Sequence, residues 1–124
     1  MKVLLADDDF EMRSLLSAEL QDEGYLVCQV GDGQDALDCL LQFRPDLVLT
    51  DLRMPDGGMR LVARLRAAAP NTPIIVMTAF GDAEIEAQAC QNGATSYFSK
   101  PFRVGELKTT MRRLLGSIQK GERS

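Results

Sequence analysis

The chain has 124 residues, of which 45% are hydrophobic and 26% charged, with a net charge of −4 and an isoelectric point near 4.8. That length makes one domain, able to bury roughly two thirds of its unfolded surface in a single core without staples. The acidic balance argues against a chain that grips nucleic acid or an anionic membrane by itself.

The first apolar run, residues 3–6, stops at three consecutive acids, Asp7, Asp8 and Asp9. It is too short for a signal peptide or a membrane span, so the expected location is the cytoplasm. Residues 9–23 follow with helical spacing. Met12, Leu15, Leu16 and Leu20 share one face, Asp9 can cap the start, and Gly24 can stop the end. Residues 25–30 form a second strand, less uniformly apolar and so nearer an edge. Gly33 opens a helix carrying Ala36, Leu37, Leu40 and Leu41, which closes before Pro45. Residues 46–50 are a third strand ending at Asp51. A Pro-Gly loop (Met54, Pro55, Asp56, Gly57, Gly58) leads into a helix with Leu61, Val62 and Leu65, stopped by Pro70. Residues 73–77 are a fourth strand ending at Thr78. Asp82 can cap a helix that runs to the Asn92-Gly93 stop. Residues 95–99 are a fifth strand broken by Lys100-Pro101, and a last helix spans about 104–115. The polar stretch after it reads as a frayed end or the start of a linker.

Strands alternating with helices predict an α/β fold, (βα)5, with a parallel sheet covered on both faces. The leading topology is the flavodoxin-like, doubly wound five-stranded order 2-1-3-4-5. Ligands in such sheets bind beyond the carboxyl ends of the strands, at the switch between strands 1 and 3. Asp7, Asp8 and Asp51 fall there, with Thr78 and Lys100 at the ends of strands 4 and 5.

Clustered carboxylates repel one another, and a hard dication removes the conflict. Mg²⁺ suits one or two carboxylates plus waters and phosphate oxygens. Asp8 and Asp51 are the expected direct ligands, Asp7 acts through water, and the Arg53 carbonyl can complete the shell. Asp51 can then attack phosphorus to give an aspartyl phosphate. Lys100 and the Thr78 hydroxyl would each take a phosphoryl oxygen. Taken singly, such residues are ordinary: acids after strands cap helices, as expected for Asp9 and Asp82, and a strand-end threonine is a β-former. Their joint placement carries the reading. Histidine is absent, so any phosphohistidine belongs to a partner. Three cysteines, Cys28, Cys39 and Cys90, lack CxxC or zinc spacing and lie in apolar stretches, which reads as buried free thiols in a reducing compartment.

Four stretches resemble the receiver domain of two-component response regulators: residues 4–9, 45–55, 74–79, and Gly93-Ala94 through Tyr97 to Lys100-Pro101-Phe102. Nitrogen-regulator-type and stand-alone phosphorelay receivers look most similar. The resemblance covers nearly the whole chain and implies a receiver at 1–118 followed by a tail or linker at 119–124. It makes Asp51 the phosphoacceptor, Asp7 and Asp8 the acidic Mg²⁺ pocket, Thr78 the switch hydroxyl and Lys100 the phosphate-binding lysine. Pro101 matches a proline preceded by a cis bond, and Tyr97 matches an aromatic rotamer switch. The implied partners are a sensor histidine kinase or phosphotransfer protein as donor, and an output domain or downstream partner, with transcription the output expected. The face of the fourth helix, fifth strand and fifth helix would change and could form a homodimer. No direct nucleic-acid or membrane contact is implied. Phe80 and Arg53 flank the site and are expected to slow hydrolysis. The segment after Pro55 is one residue shorter than the usual family pattern, with Gly58 filling the glycine role.

Rival chemistries fit less well. Gly31-Asp32-Gly33-Gln34-Asp35-Ala36 matches a dinucleotide fingerprint, but it follows the second strand and would set two acids against a pyrophosphate. A flavin phosphate would meet three acids after the first strand. A phosphate-ester hydrolase commonly has a second acid two residues after its nucleophile, where this chain has Arg53. An unphosphorylated interaction module on the same fold would have no need of all five site residues.

Overall fold

The computed structural model describes residues 1–79 and 81–123, excepting the side chains of 117–123. Five strands, β1 (Lys2–Ala6), β2 (Leu26–Val30), β3 (Leu47–Asp51), β4 (Ile74–Thr78) and β5 (Ser96–Ser99), alternate with five helices. These are α1 (Phe10–Asp22), α2 (Gly33–Phe43), α3 (Gly58–Ala68), α4 (Ala83–Gln91) and α5 (Val104–Arg123). The sheet is parallel throughout in the order β2-β1-β3-β4-β5, as the alternation predicted. β2 lies at an edge and shows a mixed burial pattern. Every residue of β3 and β4 is buried, which is why those runs are continuously apolar rather than alternating.

Successive side chains leave a strand on opposite faces, and this builds two cores. Leu4, Ala6, Val48, Ile74 and Val76 face the α2, α3 and α4 side, where Leu40, Leu61, Leu65 and Ala89 meet them. Val3, Leu5, Leu49, Ile75 and Met77 face the other side, against Leu20 of α1 and Leu107, Met111 and Leu115 of α5. Two helix starts follow the predicted caps, the Asp9 and Asp82 carboxylates accepting from Met12 and Ile85 N–H, and Asp32 caps α2 in the same way by accepting from Asp35 N–H, satisfying orphan donors.

Four expectations need correcting. Met12 and Leu15 do not join the buried face of α1. With Phe10 they are exposed, because the helix turns Ser17 and Leu20 inward instead. Leu41 is likewise exposed on α2. Cys90 is exposed rather than buried, since Ala89 is the residue that α4 turns into the core. The last helix continues past residue 115 to Arg123, running through Gly116, with no proline to end it. Gly58, as expected, opens α3, at φ +77°.

Candidate functional site

The C-terminal ends of β1, β3, β4 and β5 bring the polar residues together. Asp51 and Thr78 are the last residues of β3 and β4, Asp7 follows β1, and Lys100 follows β5. Asp7, Asp51 and Thr78 are buried, an unusual state for carboxylates unless they are paired. The partner is Lys100, whose Nζ donates to Asp51 Oδ2 at 2.6 Å and to Asp7 Oδ2 at 2.9 Å. The other oxygens accept backbone N–H groups: Arg53 N–H to Asp51 Oδ1 at 2.9 Å and Asp9 N–H to Asp7 Oδ1 at 3.0 Å. Burial alone would depress the Lys100 pKa, but hydrogen bonds and charge from Asp51 and Asp7 outweigh it and hold the ammonium above the ordinary lysine value.

The structure does not draw Asp8 into this cluster; its side chain is exposed. Among the described residues no three acidic or thiol side chains are grouped to hold a metal. The donor chemistry nevertheless fits a hard dication. Every side-chain ligand on offer is a carboxylate oxygen, and the two clustered carboxylates, Asp7 and Asp51, against the single Lys100 ammonium leave one negative charge in excess. Mg²⁺ needs only one or two protein carboxylates, with water filling the rest of its shell.

Lys100 N–H donates to the Thr78 carbonyl at 2.8 Å, so the hydroxyl-bearing and ammonium-bearing residues are tied through the backbone at the ends of β4 and β5. The Lys100-Pro101 peptide is cis. Tyr97 of β5 turns its hydroxyl toward Gly81 and Thr78. A Cβ on Gly81 would lie 1.2 Å from that oxygen and 2.9 Å from Thr78 Cγ2. Among the described residues the buried Tyr97 hydroxyl has no hydrogen-bond partner. Burial, then the charges of Glu86 and Asp82, raise its pKa, and the nearby Ser99 side chain opposes this without reaching hydrogen-bonding geometry. Phe80, expected beside the site, lies outside the described residues.

The loop after Asp51 is seated on α2. Gly33 N–H donates to the Pro55 carbonyl at 2.8 Å, and a Cβ on Gly33 would stand 1.7 Å from the Asp56 carbonyl oxygen. Only a glycine permits that approach. The Gly31-to-Ala36 fingerprint is thus a helix start that receives a loop. Its Gly-x-Gly spacing gave no sign of this, because the contact is with a segment more than twenty residues away. Beside Asp7 and Lys100 an apolar groove of about 560 Å³ runs between α1 and the start of α5, lined by Met12, Leu15, Leu16, Met77 and Phe102.

A sequence model of the response regulator receiver domain matches residues 3–112. Sporulation initiation phosphotransferase F of Bacillus subtilis is 34% identical over 115 residues, covering 92% of this chain and 93% of that protein. Regulatory protein AtoC of Escherichia coli is 33% identical over 92% of this chain, which spans only 25% of AtoC. A CheY-like receiver domain protein from Methanospirillum hungatei superposes with a TM-score of 0.92 at 23% identity, covering 97% of each chain, a likeness of fold.

Proposed function

Because this chain belongs to the response regulator receiver family of two-component systems, we propose that Asp51 accepts a phosphoryl group from a phosphohistidine on a sensor kinase or phosphotransfer protein. The observation that carries this reading is the buried Asp51 carboxylate held between the Lys100 ammonium and the Arg53 N–H. A carboxylate so held is fixed in position and aimed, as a nucleophile must be. An Asp51 oxygen attacks phosphorus, the phosphorus–nitrogen bond to the donor imidazole breaks, and that nitrogen keeps the electron pair. Lys100 and the Thr78 hydroxyl then each take a phosphoryl oxygen. Asp8, Asp51 and the Arg53 carbonyl would hold Mg²⁺ directly and Asp7 through water, and the ion would supply the charge neutralisation that lets an anionic phosphoryl group approach a carboxylate.

The readout runs through Thr78. Its methyl and Gly81 form the seat of the Tyr97 hydroxyl, so drawing Thr78 toward a phosphoryl group changes the relative stability of the seated and outward Tyr97. That is a population shift driven by differential contacts, and it alters the face of α4, β5 and α5, through which the chain would dimerise or engage an output. The exposed Phe10, Met12 and Leu15 beside the groove give the phosphoryl donor an apolar surface next to Asp51. We place the receiver at 1–118 with 119–124 as tail or linker, its location in the cytoplasm, and its output in control of transcription, with no contact to nucleic acid by the receiver itself. Among the described residues no helix is long and apolar enough to cross a membrane.

Incubation with acetyl phosphate and Mg²⁺ should add one phosphoryl group, mapped to Asp51 and absent in Asp51→Asn. Failure of both acetyl phosphate and a beryllofluoride mimic to modify or bind residue 51 would overturn the proposal.

A further inference from the structure

Away from the acidic cluster, two thiols meet under the sheet edge. Cys28 lies on β2, one of the two edge strands, and Cys39 on α2. Cys39 Sγ donates to Cys28 Sγ at 2.7 Å across a separation of 11 residues. Both are free thiols, Cys28 half-buried and Cys39 buried. A disulfide needs its sulfurs at about 2.05 Å, so a small shift of two side chains suffices, with no rearrangement of β2 or α2. The same helix carries Gly33, whose N–H holds the Pro55 carbonyl and whose bare Cα admits the Asp56 carbonyl.

We propose that Cys28 and Cys39 are a reversible dithiol–disulfide pair closed by a peroxide, and that closure latches α2 to β2 and steadies the seat of the loop after Asp51. The pair does not depend on phosphorylation and stands or falls separately from it. Cys28, the more accessible sulfur, attacks one peroxide oxygen. The oxygen–oxygen bond breaks, Cys28 becomes a sulfenic acid, and one water leaves. Cys39 then attacks the Cys28 sulfur and displaces hydroxide, which takes the Cys39 thiol proton and leaves as a second water. The two thiols lose two electrons together and the peroxide gains them. Burial, together with the hydrogen bond and charge of Cys28, pushes the Cys39 thiol up to about 12, so Cys39 resolves rather than initiates.

The test is peroxide treatment of the full chain and of Cys90→Ser, which removes the exposed thiol, followed by alkylation and digestion without reductant. The expected product is a peptide pair joined through Cys28 and Cys39, reopened by dithiothreitol. In Cys39→Ala the joined peptides should be lost and Cys28 trapped as a dimedone adduct. If both thiols are alkylated at a peroxide dose that fully oxidises Cys90, or if every disulfide runs through Cys90, the pair is refuted. Hydrogen exchange tests the latch: the Gly33 amide should exchange several-fold more slowly in the oxidised chain, and equal rates would refute it.

Discussion

Lys100 Nζ stands 2.6 Å from Asp51 and 2.9 Å from Asp7, so one ammonium bridges two buried carboxylates that would otherwise face each other unscreened. Lys100→Met leaves both charges behind. Breaking a buried pair costs a few kcal/mol, and after allowance for the partial exposure of Lys100 the expected loss is about 2–3 kcal/mol. Mg²⁺ should recover more stability in Lys100→Met than in the natural chain, which thermal unfolding with and without the ion measures. The folded Lys100 pKa is raised above 10.5. The natural pair's stabilisation is therefore whole below that ordinary value and is lost as pH rises through the higher folded value. Lys100→Met should lack this alkaline loss.

Gly81→Ala puts a methyl group 1.2 Å from the present position of the Tyr97 hydroxyl. Such an overlap cannot be absorbed by a small shift, so the ring must leave its seat. The expected cost is about 1–3 kcal/mol, with Tyr97 resonances moving toward those of a solvent-exposed tyrosine. In a Tyr97→Ala background the same substitution should cost clearly less, because only the 2.9 Å approach to Thr78 Cγ2 remains to be relieved. Equal costs in the two backgrounds, measured by denaturant unfolding, would show that the overlap is relieved elsewhere.

Gly33→Ala reverses the usual helix arithmetic. Inside an exposed helix, alanine gains about 1 kcal/mol over glycine. Here its Cβ would stand 1.7 Å from the Asp56 carbonyl oxygen, so the loop must lift and the bond from Gly33 N–H to Pro55 O must lengthen. A lower melting temperature is expected, together with a changed rate of Asp51 labelling by acetyl phosphate. A stabilised protein with an unchanged rate would contradict this.

The order of elements was legible because strands covered on both faces are continuously apolar and end abruptly, as at Asp7, Asp51, Thr78 and Lys100. The caps at Asp9 and Asp82 were legible because their oxygens serve N–H groups three residues on. Other features were not, and each depends on a neighbour remote in sequence. Met12 and Leu15 have core-like spacing, yet α1 packs through Ser17 and Leu20. Asp7 and Asp8 are the same residue type side by side, and only the fold decides that Asp7 meets Lys100 while Asp8 stays exposed. The clearances at Gly33 and Gly81 are set by Asp56 and Tyr97, and nothing local to either glycine announces them.

Arg66 on α3 has the same long-range character. Its guanidinium donates to the carbonyls of Gly93, Ala69, Pro70 and Thr72 and to Thr95 Oγ1, at 2.7 to 3.2 Å. It therefore joins the end of α3, the turn into β4 and the turn between α4 and β5. Helix α4 buries only Ala89 in the core, so this clamp fixes its C-terminal end while the rest of the helix is lightly held. Arg66→Ala leaves several partly buried carbonyls unpaired, at about 2–4 kcal/mol in total. Arg66→Lys should recover little, because a single ammonium cannot span acceptors that a planar fork reaches together. Denaturant unfolding gives the cost, and hydrogen exchange gives its location: amides of α4 and Gly93 should lose protection before those of β1 and β3. Uniform loss across the sheet would instead mark Arg66 as a general stabiliser rather than the anchor of α4.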